Sequence, residues 1–353
     1  MNASLNFSML ETARLFRGYT QKEASVLLGI SQGKLSKAEM GMQSFDENML
    51  QTVVSVYDFP MEFFYDNHEN SLDGHFYFRR KLSISGKELA KLLAKTKVFK
   101  RIIDILFMQV EIPDFRINLY NTKDCTPEEI AKKIRYEMRI YKGKVPHLVN
   151  LLEYNGIIIF PFDFETDKMD GLSVITVMGN KVIFLNSRMP EDRKRFSLSH
   201  ELGHLIMHFD SISKYPELIE DEANSFASEF LLPKDEVINE LSYLDFEHLG
   251  NLKKKWGVSM RSIVRRAKEL NRINEQTYRN IQINFSKKGY SKKEPIFLPI
   301  ERPTLISDTI QLYKKELGYE DNDLQKLMKL NSSDFYRFFG NHPHLVLSMS
   351  KNN

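Results

Sequence analysis

The chain has 353 residues, of which 42% are hydrophobic and 27% are charged. This length exceeds one ordinary hydrophobic core and predicts roughly two or three domains, and the composition excludes a disordered or low-complexity protein. The net charge of +3 favours no class of partner by itself. Cys125 is the only cysteine, which excludes an intramolecular disulfide and favours the reducing cytoplasm. No apolar run is long enough to span a bilayer, so we expect no membrane partner.

The first 60 residues carry the pattern of several short helices. Thr20 is a good N-cap for a helix over 21–28, and Glu23 stands at the position that completes a capping box. Gly29 ends this helix because glycine tolerates the left-handed conformation, and Ser31 caps a second helix over 32–38. Two helices joined by a three-residue turn with glycine form the helix-turn-helix pattern.

In register, this segment resembles the XRE (Cro/repressor-like) helix-turn-helix family over about the first 65 residues. The matching positions are Arg14, Gly18, Thr20, Gln21, Ala24, Leu28, Gly29, Ile30, Ser31, Ser36, Glu39 and Gly41. The resemblance implies a double-stranded DNA operator as partner. It places Gln32, Lys34 and Lys37 in the major groove and Gln21 near a phosphate.

The charge of this segment also supports a different role, a small helical bundle that contacts protein. Residues 1–68 contain five lysines and arginines against eight acidic residues, and phosphate neutralisation supplies most non-specific DNA affinity. By contrast, residues 76–101 contain nine basic residues and one acidic residue. Their apolar spacing predicts an amphipathic helix with a solvated basic face, which is also a candidate helper for DNA-backbone contacts.

A second domain is predicted to begin near Asn121. Thr126 and Glu129 form a capping box that opens a helix. Three strands are then expected in a small antiparallel sheet, over residues 157–162, 172–177 and 181–185, with a hairpin turn at Met178, Gly179 and Asn180. The last strand is expected to be an edge strand with one wet face.

The sequence His200-Glu201-Leu202-Gly203-His204 follows this predicted hairpin. Residues four apart lie on one face of a helix, so His200 and His204 can bind one zinc ion. Glu201 is then placed to take a proton from the attacking water as the catalytic general base.

A third metal ligand is expected from the next helix. Glu220 shares its face with Ala223, Asn224 and Ala227, and these small residues allow close approach of two helices. Glu222 shares a different face with Phe226. We therefore expect Glu220 as the third ligand, with Glu222 as the alternative.

Residues 125–240 resemble the ImmA/IrrE family of zinc metallopeptidases. The matching segments are Phe196 to His208, Glu220 to Pro233, Asp170-Gly171-Leu172 and Val182 to Asn186. The resemblance implies a gluzincin-type site of two histidines and a glutamate. Members of this family cleave helix-turn-helix repressors of phage, mobile-element or stress-response genes.

Two further side chains near the motif have open roles. His208 follows His204 by four residues and is either a contact for substrate or a histidine outside the ligand set. Tyr215 is a weaker candidate for stabilising an oxyanion.

These patterns predict an α+β multidomain protein. We expect a helix-turn-helix domain over 1–68, a basic helical connector over 69–120, a gluzincin-like zinc peptidase domain over 121–273 and a mostly helical region over 274–353. Homodimerisation and partner docking are both considered for the last region, whose role the sequence does not identify.

The predicted function is a cytoplasmic DNA-binding regulator whose zinc endopeptidase cleaves a repressor, a partner protein such as a toxin, or itself. Phage, stress-response and toxin–antitoxin control are all compatible settings. The alternative is a DNA-binding antitoxin or repressor in which the zinc site is structural or sensory and no peptide bond is cut.

Overall fold

The computed structural model describes residues 5–66, 84–208, 216–290 and 293–340. These residues are mostly helical, with one small mixed sheet, as expected for an α+β protein. They fall into two compact units. No helix within the described ranges combines the length and apolar character needed to cross a bilayer.

The elements follow one another along the chain in three groups. The first group is α1 (Phe7–Arg17), α2 (Gln21–Leu27), α3 (Gln32–Glu39), α4 (Glu47–Tyr57), α5 (Met61–Phe64) and α6 (Gly86–Phe107). The second is α7 (Pro127–Glu137), α8 (Leu148–Tyr154), β1 (Ile157–Phe162), β2 (Gly171–Ile175), β3 (Lys181–Asn186), α9 (Glu191–Met207), α10 (Pro216–Leu231), α11 (Lys234–Val237), a 3₁₀ helix (Ile238–Leu241), α12 (Phe246–Trp256), α13 (Met260–Glu269) and α14 (Glu275–Lys287). The third is α15 (Leu305–Glu316), α16 (Asp321–Met328) and α17 (Ser332–Phe339).

The first unit is assembled from three separate stretches of the chain. Its described residues are 5–66, 85–110 and 307–340, so it contains α1 to α6 and nearly all of α15 to α17. The second unit contains α7 to α14 and the sheet. The predicted domain boundaries at 68, 120 and 273 stay predictions.

The turn between α2 and α3 forms as the sequence predicts, with Gly29 in the left-handed conformation (φ +66°), and α2 begins at the predicted capping box. Thr20 Oγ1 accepts a hydrogen bond from the Glu23 backbone N–H at 3.2 Å, and Glu23 Oε2 accepts one from the Thr20 N–H at 2.7 Å. Behind this turn, the buried guanidinium of Arg14 donates to both carboxylate oxygens of Glu39 at 2.6 and 2.9 Å. This pair ties α1 to α3 beneath the surface of the bundle.

Helix α6 is the predicted basic helix, but the prediction of a solvated basic face is wrong for three of its six described cations. Lys95, Lys100 and Arg101 are buried, and Arg101 pairs with the buried carboxylate of Asp66. The cause is that α1 packs along α6, so cations that a lone helix would expose become part of the first unit. Lys87 is exposed and Lys91 and Lys97 are half-buried, whereas the predicted cations Arg79, Arg80 and Lys81 lie outside the described residues.

The sheet differs from the prediction in two ways. Its order is β1-β3-β2, with β3 parallel to β1 and antiparallel to β2, so it is mixed rather than antiparallel. Strand β3 is therefore central, and β2 rather than β3 is an edge strand. The tight turn makes β2 and β3 antiparallel, but no turn constrains β1. The continuous apolar run Val182–Leu185 is buried, as is usual for a strand with partners on both sides.

A single large core holds the second unit together and supports α9. Leu198, Leu202 and Leu205 of α9 are buried against aromatic residues of α10 and aliphatic residues of the sheet. Helix α9 also packs against β2 and β3. One face of α9 is therefore fixed by the core, and this positions the polar residues on its other faces.

Candidate metal centre

Helix α9 places the two histidines of the motif side by side. His200 and His204 are one turn apart and are 2% and 1% exposed. Their Nε2 atoms lie 3.0 Å from each other. The i, i+4 spacing has therefore brought two imidazole nitrogens to one point, as expected from the sequence.

Glu220 reaches this point from α10. Its carboxylate oxygens lie 3.4 Å from His200 Nε2 and 3.5 Å from His204 Nε2. Ala223 and Ala227, on the same face of α10, are fully buried, so they allow the two helices to approach. His200, His204 and Glu220 each offer one ligand atom within 4.8 Å of the others and could hold a metal ion.

The hydrogen bonds of the outer ring nitrogens decide where the protons lie. Nδ1 of His200 is 3.2 Å from the amide oxygen of Asn224, which only accepts, so Nδ1 carries the proton. Nε2 of His208 is 2.8 Å from a carboxylate oxygen of Glu222, and Nδ1 of His208 is 3.0 Å from Nδ1 of His204. When His208 is neutral and donates to Glu222, its Nδ1 accepts the proton of His204. Both inner Nε2 atoms then carry lone pairs.

These inner atoms fit a zinc ion. Three electron-pair donors then face one another with no proton between them. Their lone pairs repel one another, and a bound cation would relieve this repulsion. Zinc bonds of about 2.0–2.2 Å at tetrahedral angles separate neighbouring ligand atoms by roughly 3.3–3.5 Å. The separations of 3.0, 3.4 and 3.5 Å in this site are close to that geometry. Two imidazoles and a carboxylate are also a donor set that suits zinc.

The ionisation of the site favours metal ligation. Burial lowers the pKa of His204 to about 3, so its ring is neutral at physiological pH. Burial opposes ionisation of Glu220, but the adjacent side chains of His200 and His204 outweigh it and hold the pKa of this carboxyl well below its usual range. A metal ion requires neutral imidazole and ionised carboxylate, and His204 and Glu220 meet these two requirements.

Glu201 lies beside the cluster without joining it. Its Oε2 atom is buried and has no hydrogen-bond partner in the described part of the chain. The carboxylate lies against β2, where a Cβ at Gly171 would be 2.9 Å from Glu201 Cγ, so only glycine leaves room for it. Burial is the main cause that raises the pKa of Glu201 to about 7, although His200 and Ser173 act in the opposite direction.

The structure separates the two glutamates that the sequence left as alternatives. Glu220 faces the paired histidines, whereas Glu222 contacts His208. Sequence reasoning missed the link from Glu222 through His208 to His204. The signal for it was the spacing of His208, four residues after His204, which continues the same helical face. Tyr215 lies outside the described residues.

The predicted DNA contacts all lie on or next to α3 in the first unit. Gln32 and Lys37 are exposed, and Lys34 is half-buried. Gln21 differs, because its amide nitrogen donates to Glu39 at 2.8 Å. The same carboxylate also accepts hydrogen bonds from Arg14. The side chain of Gln21 is therefore hydrogen-bonded inside the first unit.

Comparison with known proteins found a family match and a phage relative. A peptidase-family model described as the IrrE N-terminal-like domain matches residues 152–268. The chain is also 30% identical over 126 residues to the uncharacterized immunity region protein 2 of Bacillus phage phi105, a match that covers 75% of that protein and 32% of this chain. The chain belongs to the IrrE N-terminal-like peptidase family. Its IrrE N-terminal-like domain contains the sheet, α9 and α10, and therefore the entire cluster.

The raised pKa of Glu201 predicts how pH affects the metal-free protein. The folded state keeps a proton that the unfolded chain releases between pH 4.5 and about 7. The resulting stabilisation is present below pH 4.5 and is lost as pH rises through about 7. Relative to Glu201→Gln, whose amide resembles the neutral acid, the wild type should lose roughly 2 to 3 kcal/mol of unfolding free energy between pH 5 and pH 8.

Urea unfolding in the presence of a chelator measures this difference. Glu217→Gln is the matched control, because Glu217 is an exposed glutamate on α10. Its offset from the wild type should not change with pH. Parallel wild-type and Glu201→Gln curves would contradict the assignment of a neutral Glu201.

Proposed function

We propose that this chain is a zinc-dependent endopeptidase that acts in gene regulation. The observation that carries the proposal is the meeting of His200, His204 and Glu220 beside a buried glutamate, Glu201, whose Oε2 has no partner among the described residues. A purely structural metal site needs no such carboxylate. Its substrate would be a repressor, another partner protein or the chain itself.

Each residue of the site has one role in this proposal. His200, His204 and Glu220 would hold the zinc ion, which when bound supplies a Lewis acid to the reaction. Glu201 would remove a proton from the attacking water and pass it to the leaving nitrogen. A pKa near 7 suits both directions of transfer, since a general acid–base group works best near the operating pH.

Strand β2 would position the substrate. It is an edge strand, and Gly171 and Ser173 of this strand lie next to Glu201. An extended peptide that pairs with the outer edge of β2 would therefore pass the catalytic carboxylate. Strand β3 has strands on both sides and so has no free edge for a substrate.

The regulatory part of the proposal rests on two observations. The phage relative is named as an immunity region protein, which suits control of phage genes. In the first unit, α3 follows a capped turn and exposes Gln32 and Lys37, as DNA recognition requires. We infer a double-stranded operator as a second partner, and a homodimer would suit an operator with two-fold symmetry. Stress-response and toxin–antitoxin control remain further settings for the same chemistry.

Metal binding tests the ligand set. We expect about one zinc per chain by elemental analysis and loss of tight binding in Glu220→Gln. Glu222→Gln should retain the ion but bind it roughly 10- to 100-fold more weakly, because Glu222 orients His204 through His208. Competition with a chromophoric chelator measures these affinities. Equal affinities in the wild type and Glu220→Gln would refute the ligand set.

Cleavage tests the catalytic role. Glu201→Gln should lower the rate of peptide-bond hydrolysis by about 10²–10⁴-fold, the usual effect of losing a general acid–base group, and should still bind zinc. Glu217→Gln should cleave at the wild-type rate. Mass spectrometry of a proteome-derived peptide library supplies the readout without a known substrate. Zinc-loaded wild type that cleaves no peptide would favour the alternative of a non-proteolytic regulator.

DNA binding is tested by reversing one exposed charge. Lys37→Glu should abolish retention of genomic fragments selected by the wild type, because a groove cation becomes an anion. Glu201→Gln should retain the same fragments. If Lys37→Glu selects them as well as the wild type, α3 does not read DNA, and the protein-contact role of the bundle is favoured.

A further inference from the structure

A polar cavity lies in the second unit next to α9. Its volume is about 400 Å³, which lies within the range of ligand pockets. Three arginines, Arg193, Arg261 and Arg265, line it, and Phe196 and two tyrosines contribute aromatic surface. None of these residues belongs to the metal cluster, so the cavity needs its own explanation.

The acidic residues of the cavity are turned toward other partners. Asp192 and Glu294 both accept from the ammonium group of Lys253, which is completely buried beneath them. Glu294 also accepts from the backbone N–H groups of Met260 and Arg261 at 2.9 and 3.2 Å. The single positive charge of Lys253 balances one of the two carboxylates, and the backbone N–H groups at Glu294 further stabilise the pair.

The arginines keep positive charge at the surface of the cavity. Arg193 contacts Asp170 only at 3.3 Å, and Arg265 contacts Glu269 at 2.9 Å while lying over the ring of Phe196. Arg261 is exposed, and its side chain has no ion pair in the described ranges. The wall thus presents one guanidinium that has no ion pair within the described ranges, beside two whose ion pairs are partly exposed to solvent.

The cavity continues directly from the catalytic position. Ser197 lines it and lies one helical turn before Glu201 on the same face of α9. Asp170 also lines it and immediately precedes Gly171, which contacts Glu201. A peptide on the edge of β2 would therefore reach the cavity as it leaves the catalytic carboxylate.

We propose that this cavity is a specificity pocket that binds an acidic side chain of the peptide substrate. The proposal rests on the peptidase function above and adds the class of residue recognised. A guanidinium pairs well with a carboxylate through two parallel hydrogen bonds. From Arg193 to Glu201 a helix rises roughly 12 Å, and an extended peptide covers this in about three or four residues. The recognised residue therefore lies up to about four positions from the scissile bond.

The test compares peptides that differ only in charge. The probe is a fluorescein-labelled decapeptide of alanine, glycine and serine with two central glutamates, and its partner has two glutamines there. Binding is measured by anisotropy with zinc-loaded, full-length Glu201→Gln, which removes hydrolysis from the measurement. The glutamate probe should bind at least about tenfold more tightly than the glutamine probe, as expected for a hydrogen-bonded charge pair.

Charge reversal identifies the pocket. Adding Arg261→Glu should remove this discrimination and favour a matching lysine probe. Arg302→Glu is the matched control, because Arg302 is an exposed arginine of the same unit outside the cavity, and it should keep the preference. Circular dichroism checks that each variant is folded, and Arg265→Gln supplies a second, milder change that should weaken the preference.

The outcomes separate this proposal from the peptidase function. Cleavage of the peptide library by the wild type without an acidic preference at a fixed position would overturn the pocket and leave the peptidase intact. An acidic preference in binding without any cleavage would support the pocket and overturn the peptidase. No discrimination, or equal discrimination in Arg261→Glu, would overturn the pocket. Displacement of the probe by a short single-stranded oligonucleotide, lost in Arg261→Glu, would assign the cavity to nucleic acid and also overturn it.

Discussion

The convergence of three electron-pair donors in a buried space is the constraint on which the second unit depends. Two imidazole nitrogens and a carboxylate repel one another at 3.0 to 3.5 Å, so the fold must hold them together until a cation relieves the repulsion. The packing of the apolar core behind α9 and of the alanine face of α10 holds these donors together. Asn224 and His208 then keep the remaining protons on the outer nitrogens, where they do not obstruct the centre.

The same burial explains why Glu201 differs from its neighbour Glu220. Both are glutamates close to the two histidines, yet their pKa values move in opposite directions. Glu220 lies beside two histidines that favour its ionised form, whereas Glu201 lies against the backbone of β2 and is mainly desolvated. One carboxylate is thereby kept as an anion and the other is poised to exchange a proton. Two environments within one site separate a binding role from a proton-transfer role.

Local sequence patterns predicted the elements of the site well. The i, i+4 spacing predicted that His200 and His204 lie side by side, and this depends on one helix alone. The small residues near Glu220 predicted a close approach of α10 to α9, and this depends on one pair of helices. Features that depend on packing across the chain were missed. The buried cations of α6 and the central place of β3 follow from neighbours that are distant in sequence, and no local pattern encodes them. The contact of Glu222 with His208 likewise requires the relative position of two helices.

The discontinuity of the first unit has a consequence for how the protein is made. A ribosome releases α1 to α6 long before it synthesises α16 and α17, yet all of them belong to one compact body. Arg17 can form its ion pair with Asp334 only after more than 300 further residues have been synthesised. The described part of the second unit lies almost entirely in one stretch, residues 111–306, so it can finish folding while the first still lacks its last helices. During synthesis, the nascent chain would therefore acquire the fold around the histidine cluster before the first unit is fully assembled.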